Sequence, residues 1–85
     1  MSEELIELLA KKCNLMISDL RRPENYIRIL PAVMEVAPNC FSVEDWSKSI
    51  SYIFECDINF VKPEDAKVYC MKELLRIIEQ SSSVI

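Results

Sequence analysis

The sequence of 85 residues contains no glycine, and this absence restricts the possible folds more than any other feature. Tight hairpin turns between antiparallel strands depend on glycine for backbone conformations with positive φ. The loops that hold phosphates in nucleotide-binding folds are glycine-rich for a related reason. We therefore predict a helical protein without strands or a nucleotide fold, in which asparagines such as Asn39 and Asn59 end the helices.

Four segments have apolar residues every three or four positions, the spacing of an amphipathic helix. Pro23 and Pro63 each precede an acidic residue, a pattern typical of the first turn of a helix. The fold class that we predict is all-α, a compact bundle of four short helices forming a single domain over residues 1–80. The predicted helices span residues 2–21, 23–36 with a break at Pro31, 43–56 and 63–80, and residues 81–85 are predicted to fray.

The second helix is apolar on nearly every side, because Arg28 and Glu35 are the only charged residues between positions 26 and 37. Such a helix is either buried on several sides or has an outer face that contacts a partner. We predict the second arrangement, with Tyr26, Ile29 and Met34 in the contact surface.

The third helix has the clearest local signature. Ser42 is a typical N-cap, and Asp45 stands three residues later, where a capping box places its acidic residue. Phe41 is positioned to pack on Trp46 as a hydrophobic staple. Three serines occupy another side of this helix, namely Ser47, Ser49 and Ser51.

The formal net charge of −4 disfavours non-specific binding to nucleic acids or anionic membranes, although it is compatible with a local basic patch. No apolar run approaches the roughly 18 residues that a membrane span needs. The chain starts with acidic residues where a secretory signal would be basic. We therefore expect a cytoplasmic protein with no membrane partner.

The charge is unevenly distributed along the chain. Residues 11–28 have a net charge of +3 and residues 35–65 a net charge of −5. In one interpretation the two segments complement each other within the fold. In the other, a basic corner contacts an acidic partner or phosphates, and the acidic segment docks on a basic protein surface. The residues of this basic corner are Lys11, Lys12, Arg21, Arg22 and Arg28.

The four cysteines, at positions 13, 40, 56 and 70, are too widely spaced for the close ligand pairs of a zinc site, and the chain has no histidine. Cys13 and Cys70 lie on helix faces that we predict to be buried, where a thiol acts as a small apolar group. Cys40 lies just before the third helix and is the candidate for a reactive thiol. Neither a catalytic site nor a cofactor is predicted.

These features predict a small non-catalytic helical module that binds another protein, as an adaptor, an inhibitor or a chaperone-like regulator. A second copy of the chain is an alternative partner, because a domain of this size has little core of its own. The remaining alternative is a helical subunit of a nucleic-acid complex that contacts phosphates through the basic corner. The predicted partner-binding residues are Lys11, Lys12, Arg21, Arg22, Tyr26, Arg28, Ile29 and Met34.

Overall fold

The computed structural model describes residues 3–82, with side chains described for residues 3–80. Over that range the regular structure is entirely helical, and the predicted all-α bundle of four short helices is confirmed. The helices are α1 (Leu5–Cys13), α2 (Tyr26–Glu35), α3 (Val43–Phe54) and α4 (Pro63–Ser82). Single 3₁₀ turns are formed by Ile17–Arg21, Pro23–Asn25 and Pro38–Cys40.

The first helix is shorter than predicted, because it ends at Asn14. This residue has left-handed backbone angles (φ 55°, ψ 44°), and its N–H donates to the carbonyls of Ala10 and Lys11. Asparagine tolerates this conformation better than most residues, so it can end a helix in a chain without glycine. The rest of the predicted helix forms the 3₁₀ turn Ile17–Arg21. Residues 1 and 2, where the helix was predicted to begin, lie outside the described range.

The other helix ends also differ in detail from the prediction. Within residues 3–82, positive φ angles occur at Asn14 and at Glu55 (φ 52°), and not at Asn39 or Asn59. Glu55 ends α3, and its N–H donates to two carbonyls of the last turn. Helix α4 continues two residues past position 80, and residues 83–85 of the predicted frayed tail lie outside the described range.

Helix α2 passes through Pro31 without the predicted break. Proline has no N–H, so the carbonyl of Ile27, four residues earlier, loses its helical hydrogen-bond partner. Pro31 is exposed and Ile27 is 65 % exposed, so water can hydrogen-bond to that carbonyl. The helix therefore keeps its continuity because the proline lies on the solvent side.

The N-terminus of α3 is capped as predicted, and it also organises α1. The Ser42 hydroxyl accepts a hydrogen bond from the Asp45 N–H at 3.1 Å. The Asp45 carboxylate does not complete a capping box but accepts from the Leu5 N–H at 3.1 Å, at the start of α1. Trp46 is fully buried, and its indole N–H donates to the Pro38 carbonyl at 3.0 Å. The hydrogen bond between Leu5 and Asp45 therefore joins the starts of α1 and α3.

The core lies where α1 and α4 each pack against both α2 and α3. Lys67 of α4 fixes the end of α2, since its ammonium donates to the carbonyls of Met34 (3.1 Å) and Val36 (2.5 Å). A cation is favourable there because the C-terminal carbonyls of a helix have no partners within it. The largest fully buried side chains are Trp46, Leu5, Leu9, Leu20, Ile29, Ile50, Ile53 and Leu74.

Candidate functional site

Two of the three residues predicted to form the contact surface of α2 are buried. Tyr26 is 3 % exposed and Ile29 is 0 % exposed, which corrects their assignment to a partner-binding surface. The Tyr26 hydroxyl donates to the Ile53 carbonyl at 3.1 Å, and the ring packs edge-to-face on Phe54. Burial raises the pKa of Tyr26 above its ordinary value. Both side chains hold α2 in the bundle and are unavailable to a partner.

The opposite side of α2 is exposed and apolar. Met34, predicted in the contact surface, is 59 % exposed, and Ile27 and Pro31 are exposed beside it. These three residues stand at positions i, i+4 and i+7, so they share one side of the helix. We call Ile27, Pro31 and Met34 the outer face of α2. The sequence did not separate the outer face from the buried face, because both sides of this helix are apolar.

The basic corner is paired with carboxylates. Four of its five cations form ion pairs, all at least partly exposed, and Glu3 raises the pKa of Lys11 while Glu55 raises that of Arg21. The pairs are Lys11 with Glu3 (2.6 Å), Lys12 with Glu35 (3.2 Å), Arg21 with Glu55 (2.5 Å) and Arg22 with Asp19 (3.7 Å). Arg21 also lies over the ring of Tyr52 at 5.2 Å.

Two of these pairs join the basic segment 11–28 to the acidic segment 35–65, at Glu35 and Glu55. This agrees with the interpretation that the two segments complement each other within the fold. Among the described residues no ion pair involves Arg28, which is exposed on α2. A phosphate would have to compete with existing carboxylate partners at the other four cations.

The cysteines divide into two buried and two exposed residues. Cys13 and Cys70 are buried, as predicted, and burial raises the pKa of both thiols, that of Cys70 to about 12. Cys40 is exposed in the 3₁₀ turn Pro38–Cys40, and Cys56 is exposed after α3. Within residues 3–80, no hydrogen bond or ion pair involves the Cys40 thiol. Its exposure permits modification.

A groove lies between α1, α3 and the connector of residues 57–60, which we call the α1–α3 groove. Its volume is about 640 Å³, and most of its lining surface is apolar. Ile6 of α1, Ile17, and Ile58 and Phe60 of the connector supply apolar lining, and Ser49 of α3 lines it as well. The dimensions match those of sites that bind small molecules or short peptide segments.

The serines of α3 hold the connector against the helix. The Ser51 hydroxyl donates to the Ile58 carbonyl (3.1 Å) and accepts from the Ile58 N–H (3.2 Å). The Ser47 hydroxyl donates to the carbonyl one turn earlier and accepts from the Phe60 N–H at 3.0 Å. Ser49 is 2 % exposed, and its hydroxyl has no hydrogen-bond partner among the described residues. The three serines could be recognised on one helix from the sequence, but the sequence did not indicate which of them would lack a hydrogen-bond partner.

Over the described part of the chain, no three acidic or cysteine side chains are grouped as a metal site would require. Nor is any helix of that part long and apolar enough to cross a membrane. Comparisons with protein-family models, curated proteins and solved structures found no match. Function is therefore inferred from the contacts, burial and charge of this chain's own residues.

Proposed function

We propose that this protein is a small, non-catalytic α-helical module for protein–protein interaction, acting as an adaptor, an inhibitor or a chaperone-like regulator. The observation that supports it best is the outer face of α2, formed by Ile27, Pro31 and Met34. Ile27 and Met34 are 65 % and 59 % exposed, and the spacing i, i+4, i+7 is that with which a helix inserts into an apolar groove of a partner.

The residues around the outer face favour a specific contact over non-specific hydrophobic association. Arg28, which has no ion pair within residues 3–80, lies next to Ile27 in the sequence, and the paired Glu35 follows Met34. An apolar centre with charges of both signs at its edge is the usual composition of a protein interface. Such edge charges select partners and orientation more than they add affinity.

The side chains of the outer face are not part of the hydrophobic core of the described residues. The opposite side of α2 supplies the buried Tyr26, Ile29 and Val33, and Lys67 fixes the C-terminal end of the helix. Exposed apolar side chains of this size cost the folded state little, because they are also hydrated in the unfolded chain. Their position on one side of α2 supports a role in binding.

The test compares two double variants that each add two carboxylates. Ile27→Glu with Met34→Glu alters the outer face, and Val61→Glu with Leu75→Glu alters exposed apolar residues elsewhere. Tagged protein is incubated with extract of the source cells and cross-linked, and bound proteins are identified by mass spectrometry. Sedimentation velocity over a range of concentrations reports whether the partner is a second copy of the chain.

We expect the unmodified protein and the control variant to retain the same partner, or to self-associate equally. The outer-face variant should lose at least nine-tenths of that binding, because a carboxylate at a desolvated apolar contact is strongly unfavourable. If both variants and the unmodified protein recover the same proteins and all sediment as monomers, the outer face of α2 is not an interface and the proposal fails.

A further inference from the structure

The α1–α3 groove has an unmet hydrogen-bonding requirement at Ser49. Ser47 and Ser51, on the same helix, each make two hydrogen bonds through their hydroxyls. Ser49 is as buried as the core residues, and its hydroxyl makes no hydrogen bond with the described residues. Buried hydroxyls without partners are rare, because the group has lost water and gained nothing in exchange. Its oxygen has no accessible surface, so a ligand contacts the wall of the groove around Ser49 and not the hydroxyl itself.

The connector offers a second set of free polar groups. Ile58 and Phe60 direct backbone groups to the serines of α3, as described above. Asn59, between them, is exposed and lines the groove. Its backbone N–H and C=O have no partner among the described residues. A segment of another chain beside Asn59 can pair with those two groups, as a peptide pairs with an exposed strand edge.

The charged residues that line the groove are predominantly acidic. Glu4, Glu44 and Asp57 contribute three carboxylates, against the single cation Lys48. Lys48 lies 3.8 Å from the Glu4 carboxylate, which leaves Glu44 and Asp57 without an ion pair among the described residues. An occupant with positive charge at its ends is therefore favoured over an acidic one.

We infer that the α1–α3 groove binds a short peptide segment of a partner protein, in which a lysine or arginine stands next to an apolar residue. The apolar side chain fills the part of the groove formed by Ile17, Ile58 and Phe60, and the cation contacts Glu44 or Asp57. The peptide backbone pairs with the backbone N–H and C=O of Asn59. The inference rests on the proposed function in that the ligand belongs to a protein, but it concerns a surface separate from the outer face of α2.

The probes are fluorescently labelled, end-capped octapeptides in which leucine or phenylalanine alternates with lysine or arginine. The matched set replaces every basic residue with glutamate. Binding is measured by fluorescence anisotropy up to millimolar protein, with the full chain. We expect saturable binding of basic peptides and none of the acidic set, and affinity that decreases as salt is added.

Three variants locate the site. Ser49→Ala should raise the thermal midpoint of the free protein and leave peptide affinity unchanged, because the Ser49 hydroxyl has no surface that a ligand can reach. The double variant Glu44→Gln with Asp57→Asn should weaken binding by at least tenfold. The control Glu64→Gln with Asp65→Asn neutralises two carboxylates outside the groove and should bind as the unmodified protein does.

Absence of binding by every basic peptide at millimolar protein would overturn the inference, as would equal affinity of all three variants. The outcome is independent of the outer face, because Ile27→Glu with Met34→Glu should leave peptide affinity unchanged. If that variant loses the partner but still binds peptide, both proposals stand. If it retains the partner and binds peptide, only the proposal for the outer face of α2 fails.

Discussion

Helices α2 and α3 are of similar length, and both contribute to the core. An amphipathic helix usually buries its apolar residues and exposes its polar ones, and these two helices depart from that pattern in opposite ways. Helix α2 exposes apolar residues, since Ile27 and Met34 face solvent. Helix α3 buries polar residues, since Ser47 and Ser49 are among its inward side chains. An exposed apolar group costs the fold little, whereas a buried hydroxyl without a partner has a definite cost.

The difference between the two helices indicates two kinds of contact. The outer face of α2 projects from the surface and has no polar group in its centre, so it suits insertion into a partner's groove. The α1–α3 groove beside α3 is concave and is lined by the carboxylates of Glu44 and Asp57 and by Asn59, so it suits receiving a segment of a partner. The contrast can be tested by substitutions that separate folding from binding on each helix.

The largest difference in stability is expected between substitutions on the buried side and on the exposed side of α2. Ile29→Ala should lower the free energy of unfolding by about 2–5 kcal/mol, because it removes a fully buried side chain from a packed core. Ile27→Ala, the same change on the outer face, should alter it by less than about 0.5 kcal/mol. Urea unfolding followed by tryptophan fluorescence measures both. Equal losses at the two positions would mean that Ile27 takes part in the core.

A smaller effect, with opposite signs at neighbouring serines, is expected on α3. Ser47→Ala should destabilise the protein by about 1–3 kcal/mol, because the Phe60 N–H loses its acceptor in a partly buried position. Ser49→Ala removes a hydroxyl that has no partner, so the free protein should become more stable. Thermal unfolding of the two variants side by side measures the difference. Destabilisation by both substitutions would show that Ser49 is satisfied within the free protein.

The smallest effect concerns the buried thiol of Cys70, on α4. Its pKa is raised to about 12 by burial, whereas a thiol in the unfolded chain has a pKa of about 8.5. At a pH between these two pKa values the unfolded state binds fewer protons than the folded state. The free energy of unfolding therefore decreases as the pH rises above about 9. Urea unfolding at pH 8 and pH 10 should show a loss of about 1–2 kcal/mol that is reduced in Cys70→Ala.

Alkylation provides a control for this assignment. Iodoacetamide at pH 8 should modify the exposed Cys40 and Cys56 in the native protein and should reach Cys13 and Cys70 only after unfolding. Mass spectrometry of the digested protein identifies the modified positions. Modification of Cys70 under native conditions at the rate seen for Cys40 would contradict its burial.

Local signals predicted the helices well where the determining residues are neighbours in the chain. The spacing of apolar residues placed all four helices, and Ser42 was correctly predicted as the cap of α3. Predictions failed where the determining partner is distant. Asp45 was expected to complete its own capping box, but its carboxylate accepts from Leu5, forty positions away. The extent of α2 likewise depended on which side of the helix Pro31 would occupy.

The candidate binding surfaces were harder to predict from the sequence than the helices. Tyr26, Ile29 and Met34 were assigned together because α2 is apolar all round, and spacing alone cannot tell which side faces the core. Packing against α1 and α4 buried Ile29 and left Met34 exposed. The cations of the basic corner were visible in the sequence, but their pairing with Glu35 and Glu55 depends on contacts between distant segments.

The sequence alone determined that this chain is helical, because periodic apolar residues, proline-initiated helices and the absence of glycine act locally along the backbone. It also determined that charge is divided between a basic and an acidic segment. Only the tertiary structure decided which apolar residues remain exposed, which cations are neutralised and which serine lacks a partner. Those outcomes depend on distances between residues far apart in the chain, and such distances are set when the helices pack.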